Sequence, residues 1–143
     1  MEVIFSLQHP SFNLPYSTAL LTNWIQQIAH SEKKSIRYVQ YIFVTDEEIL
    51  RINSEFLNHY YLTDIITFNN NTPFSLSGEV FISIDTMTSN ATSFQVNLDN
   101  EFLRLIVHGL LHLIGYDDGN LSEKQTMRNK EDYYIKLFYK EFV

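Results

Sequence analysis

Residues 98 to 118 constrain the fold more than any other part of the chain. From Leu98 to Ile114 apolar residues recur at helical spacing, with Phe102, Leu105, Ile106 and Leu113 among them. His108 and His112 interrupt this run four positions apart. Four residues turn an α-helix by little more than one revolution, so both imidazoles leave the same face. Gly115 is placed to stop the helix in a left-handed cap. The chain then turns back into Asp117 and Asp118.

Two imidazoles on one helical face can grip one transition metal. The return after Gly115 can bring either Asp117 or Asp118 beneath them as a third ligand. Two nitrogens and one carboxylate oxygen leave a coordination position open for water, as catalytic zinc sites do and closed structural sites do not. Such a metal lowers the pKa of its water and polarises a phosphoryl or carbonyl oxygen. Histidine pairs at this spacing also occur by chance on ordinary helices. Here the apolar helix, the glycine stop and the two following acids together favour a site. The chain has 5 histidines and no cysteine. Disulfides, thiolate nucleophiles and every cysteine-based metal site are therefore excluded. The string also echoes the zincin peptidase pattern H-E-x-x-H-x-x-G-x-x-H. Gly109 stands where those enzymes carry their glutamate base, so a peptidase reading lacks its acid/base group.

The remaining sequence reads as one unit, residues 1–143, with no repeat, linker or low-complexity tract. Hydrophobic residues make up 45% of it, which is globular. The acidic, short N-terminus alternates after Glu2 and predicts a first strand, not a secretory signal. No apolar run approaches the ~18 residues of a membrane span. These features point to a cytoplasmic protein without a membrane segment. Tyr16–Ala29 reads as a helix, Arg37–Val44 as a strand, and Thr45 opens a capping box with Glu48 ahead of a helix to about Leu57, which would bury Ile49, Leu50, Ile52 and Phe56. A short strand covers Ile65–Phe68, a loop Asn69–Ser77 and a further strand Gly78–Ile84. Asp85 to about Phe94 is a weaker helix, and the last helix runs from about Ser122 to Phe142, with Tyr133, Tyr134, Leu137, Phe138 and Phe142 free to pack. The expected fold is α+β, one mixed sheet of about four strands with about five helices.

The string His108-Gly109-Leu110-Leu111-His112-Leu113-Ile114-Gly115-Tyr116-Asp117-Asp118 resembles the signature H-G-x-L-H-L-x-G-Y-D-H of the YbeY family, metal-dependent endoribonucleases of ribosomal RNA maturation. Further blocks are similar to that family's pattern: Ile52-Asn53 with Thr63-Asp64-Ile65-Ile66-Thr67-Phe68, Gly78-Glu79-Val80-Phe81-Ile82-Ser83, and Glu101-Phe102-Leu103-Arg104-Leu105. Met127 and Glu131 stand where the family often has M-x-x-x-E. The resemblance implies that His108, His112 and Asp118 hold the metal, with Asp117 capping or bracing the turn. It implies one Zn2+ per chain, with other divalent transition metals possible. It also implies cleavage of single-stranded RNA in late small-subunit ribosomal RNA 3'-end processing and ribosome quality control, with ribosomal RNA and the small subunit as partners.

Three departures stand out. Asp118 replaces the last histidine, a change that keeps a zinc ligand. Leu57 stands where the family usually carries an arginine suited to phosphate. Leu62 replaces a proline. Arg104 is a candidate substitute cation, although a surface or ion-paired role is the preferred reading. The net charge of −7 argues against binding nucleic acid by bulk charge. Lys33, Lys34 and Arg37 form one basic cluster, and the last helix mixes charges as a solvated face does. Two other readings remain: a non-catalytic ribosome-assembly factor with a structural metal, and a metal hydrolase of another substrate. Sequence names no general base and no oligomeric state.

Overall fold

The computed structural model describes residues 1–143. The strands are β1 (Glu2–Leu7), β2 (Ile36–Val44), β3 (Ile65–Asn69) and β4 (Leu76–Ser83). The helices are α1 (Thr18–Ser31), α2 (Asp46–Leu57), α3 (Ile84–Ser93), α4 (Leu98–Ile114) and α5 (Leu121–Leu137), and a π-helical turn over Phe138–Phe142 ends the chain. One mixed sheet has the order β1-β2-β4-β3. The first three of these run parallel and β3 is antiparallel to β4. The α+β expectation holds.

Parallel neighbours need helical crossovers, and these helices cover both faces of the sheet. Successive strand residues point to opposite faces. Val39, Tyr41 and Phe43 of β2, with Val80 and Ile82 of β4, join the main core with residues of α1, α4 and α5. Ile42 and Val44 turn the other way and pack with Ile49 and Ile52 of α2 and Ile66 of β3. Helix α4 runs through the larger core, with ten of its 17 residues buried. It is pinned there by the buried Tyr41 hydroxyl, which donates to the Ile106 carbonyl at 3.0 Å. Trp24 of α1 likewise donates to the Tyr134 carbonyl of α5 at 2.9 Å.

Several local expectations need correction. β4 begins at Leu76 because Ser77 and Gly78 pair with Tyr38 and Val39. At Gly78 a Cβ would sit 2.4 Å from the Phe68 carbonyl oxygen, so its bareness lets the strands meet. Thr45 does cap α2, accepting from the Glu48 amide at 3.2 Å, but the Glu48 carboxylate bonds Arg51 and does not reach back. Leu50 is only half-buried and Phe56 is exposed, since α2 lies on the small face of the sheet with only one narrow stripe inward. Tyr133 is exposed, while Tyr134 and Phe138 carry the packing of the C-terminal segment.

Candidate metal centre

Arg104, His108 and His112 follow one another every fourth residue of α4 and form the open stripe along its middle. The rest of the helix is fastened into the core, so these three side chains are held at the floor of a cleft. Gly115 ends the helix at φ 125°, and its amide and that of Tyr116 satisfy the last carbonyls, including Leu111 at 3.0 Å from each. Tyr116 is drawn inward, its hydroxyl donating to Glu32 at 2.6 Å. Two residues later Asp118 arrives beneath the imidazoles, while Asp117 stays exposed.

The three donor atoms converge. The two Nε2 atoms are 3.0 Å apart, and Asp118 Oδ2 lies 3.3 Å from His108 Nε2 and 3.5 Å from His112 Nε2. Donors ~2.1 Å from one tetrahedral ion are separated by ~3.4 Å, so these spacings suit a single zinc-sized cation. Two imidazole lone pairs this close repel unless a proton or a cation lies between them. His108, His112 and Asp118 could thus hold a metal ion.

The surroundings select the donor form of His108. Glu131 of α5 is buried, and its carboxylate lies 2.6 Å from His108 Nδ1. A carboxylate accepts, so Nδ1 carries the proton and Nε2 keeps its lone pair towards the site. Glu131 also faces Arg104 at 3.7 Å, and Arg104 is bonded to the buried Glu101 at 2.8 Å and lies 3.8 Å from Asp64. Burial alone would lower the pKa of Arg104. The hydrogen bond to Glu101 and the charges of Glu101, Glu131 and Asp64 outweigh it and raise it. Three carboxylates, Asp64, Glu101 and Glu131, surround this one largely buried guanidinium, and Asp118 adds a fourth beside the histidines, an excess of negative charge that favours a cation.

The donor atoms open into a cleft of about 400 Å³ walled by Thr63, Asp64, Ile65, Thr67, Arg104 and Leu105. Asp64 is steadied by Asn90, which donates to it at 3.2 Å. Thr63 and Asp64 are wall residues. Arg104 is both ion-paired and cleft-lining. Leu57 lies outside the cleft, in an adjoining hollow. Lys33 and Arg37 sit by the turn between α1 and β2, away from the cleft walls.

The chain is similar to known proteins over most of its length. The family model described as Endoribonuclease YbeY matches residues 7–139. The chain belongs to this family. An Endoribonuclease YbeY of Cytophaga hutchinsonii is 41% identical over 137 residues, covering 95% of this chain and 96% of that one. One from Bacteroides thetaiotaomicron is 43% identical over 111 residues, covering 78% and 81%. A Thermotoga maritima protein solved in solution superposes with a TM-score of 0.65 at 25% identity, covering 96% of this chain and 90% of that one.

As a YbeY family member the chain shows which parts of its signature do what. Its two histidines supply nitrogens, its second glycine the turn, and its tyrosine the anchor to α1. Gly109 has a packing reason. A Cβ there would meet Val80 Cγ1 at 2.6 Å, so α4 can lie on β4 only without one. Sequence reasoning placed Glu131 beside Met127 without giving it a role. An i, i+4 apolar and acidic pair marks a helix face, but not which histidine the acid will meet.

Proposed function

We propose that this chain is a metal-dependent endoribonuclease cleaving single-stranded RNA, with one Zn2+ per chain held by His108, His112 and Asp118. The substrate is ribosomal RNA, in late maturation of the small-subunit 3' end, and the place is the cytoplasm. No helix is long and apolar enough to cross a membrane. Residues 1–143 act as one domain in this reading.

The observation that carries it is the convergence of His108, His112 and Asp118 on the floor of a cleft that Arg104 lines. A divalent ion bound there supplies a Lewis acid for a phosphoryl oxygen and a means to activate water. The chain's own residues do the rest. Arg104 offers a guanidinium edge to a phosphate, and Glu101 and Glu131 keep that edge charged and oriented. Glu131 holds the His108 ring and its tautomer. Thr63 and Thr67 offer hydroxyls along the wall. Attack by the RNA's own 2'-hydroxyl or by water requires a proton acceptor, and no residue is assigned that role. Peptidase chemistry of the zincin type is disfavoured sterically as well as chemically. A glutamate at position 109 has no room against Val80.

Zinc-loaded protein and His112→Ala should be assayed on single-stranded RNA beside elemental analysis. Chelator-sensitive cleavage by the first and not the second is expected. Equal cleavage by both would indicate a contaminating nuclease and sink the proposal. One metal per chain with no turnover of RNA would favour an assembly factor, and chelator-sensitive digestion of casein a hydrolase of another substrate.

A further inference from the structure

The last turn of α2 and the loop that follows it to β3 carry several exposed rings. Phe56 is 63% exposed, Tyr60 76% and Tyr61 57%. Two of its rings are organised. His59 and Tyr61 stack with centroids 5.2 Å apart and planes at 17°, and a 3.1 Å hydrogen bond joins the Tyr61 hydroxyl to His59 Nδ1. The buried Asn53 fastens both ends of this stack. Its carbonyl accepts from the His59 amide at 3.0 Å, and its side chain donates to the Tyr61 carbonyl at 3.0 Å. Asn58, at φ 54°, supplies the turn that makes this possible.

The stack borders a hollow of about 240 Å³ next to the metal cleft. Thr63, Ile65 and Thr67 line both spaces, so the two adjoin. The hollow's walls contain no lysine, arginine or carboxylate. We propose that the His59–Tyr61 stack and this hollow form a nucleobase subsite, seating a base of the RNA strand whose phosphate lies in the metal cleft.

This inference rests on the proposed RNA substrate and extends it. A cleft lined by Arg104 and a cation site receives charge, whereas a neutral wall with a presented aromatic face receives a flat, neutral ring. Base-on-aromatic stacking is sequence-tolerant, because every base has a π-face. It also suits a chain of charge −7, whose net charge does not favour holding RNA by bulk attraction. The pair is fixed beforehand by Asn53, so little conformational entropy is lost when a base lands on it. A second copy of the chain would need a broad apolar face, whereas this feature is a concavity adjoining the cleft.

The test uses zinc-loaded wild type, Tyr61→Ala, Tyr61→Phe and His59→Ala. Steady-state cleavage of a short single-stranded RNA is measured beside anisotropy binding of an abasic ribose-phosphate strand of the same length. Tyr61→Ala should raise KM about tenfold with kcat nearly unchanged. Tyr61→Phe should stay near wild type, and the abasic strand should bind wild type and Tyr61→Ala alike. Tyr61 is mostly exposed, and a matching circular dichroism spectrum and zinc content separate this loss from misfolding. Unchanged KM in both Tyr61→Ala and His59→Ala overturns the subsite while leaving the nuclease in place. So does an equal loss on the abasic strand, or self-association that Tyr61→Ala abolishes without touching RNA turnover. A wild type that cleaves no RNA overturns the nuclease proposal and the subsite with it.

Discussion

The buried carboxylate of Glu131 lies 2.6 Å from Nδ1 of His108, although the two residues stand 23 positions apart on different helices. This contact converts a histidine into a directed ligand, because the bonded Nδ1 proton leaves Nε2 free to bind metal. Glu131→Gln keeps the size but presents a weaker or misdirected partner. It should lower zinc affinity about 10- to 100-fold. Competition with a chromophoric chelator measures this, and circular dichroism checks the fold. Zinc affinity equal to wild type would mean that the contact is packing alone.

Asp118 completes the donor set from a turn, and its side chain is 43% exposed. Asp118→Asn should therefore leave the fold intact and reduce both bound zinc and RNA cleavage, whereas Asp117→Asn should alter neither. Asp118→His keeps a metal-binding side chain and should retain stoichiometric zinc by elemental analysis. Zinc should also raise the melting temperature of wild type, since a ligand of the native state stabilises by about 2.7 kcal/mol at a hundred times its Kd. Asp118→Asn should lose most of that rise.

Gly109 lies against β4 with no room for a methyl group. Gly109→Ala gains helix propensity but must push α4 off Val80. The overpacking should prevail, destabilising by about 1–3 kcal/mol in urea unfolding. A stabilised variant would show that α4 can shift freely, and the rigid placement of the histidines would then need another cause.

Glu32 lies where α1 meets α5 and the site turn, accepting from Tyr116, Tyr134 and Lys130. Burial alone would raise its pKa, but these three hydrogen bonds together lower it below the ordinary 4.5. A depressed carboxylate stabilises the fold fully above its unfolded pKa, and that stability is lost as pH falls through the folded value. Unfolding followed as pH drops below 4.5 should show this loss in wild type, and Glu32→Gln should flatten that part of the profile while being less stable near neutrality. An unchanged acid limb in the variant would remove Glu32 from the account.

The convergence of the candidate metal donors was legible because their pattern is local. Helical period, the glycine stop and the short return are all properties of consecutive residues, and they determine that two nitrogens and an oxygen can meet. The same holds for the strand and helix segments of the α+β sheet, where boundaries moved by only a few residues. What α2 buries was misread at Phe56, because burial depends on which face of the sheet a helix covers. Only the tertiary structure decided that Glu131 braces His108, that Arg104 both pairs with acids and lines the cleft, and that the loop stack of His59 and Tyr61 adjoins it. Those relations join residues on separate elements. They follow from the order and register of the strands and the packing of α4 and α5, which no window of sequence contains.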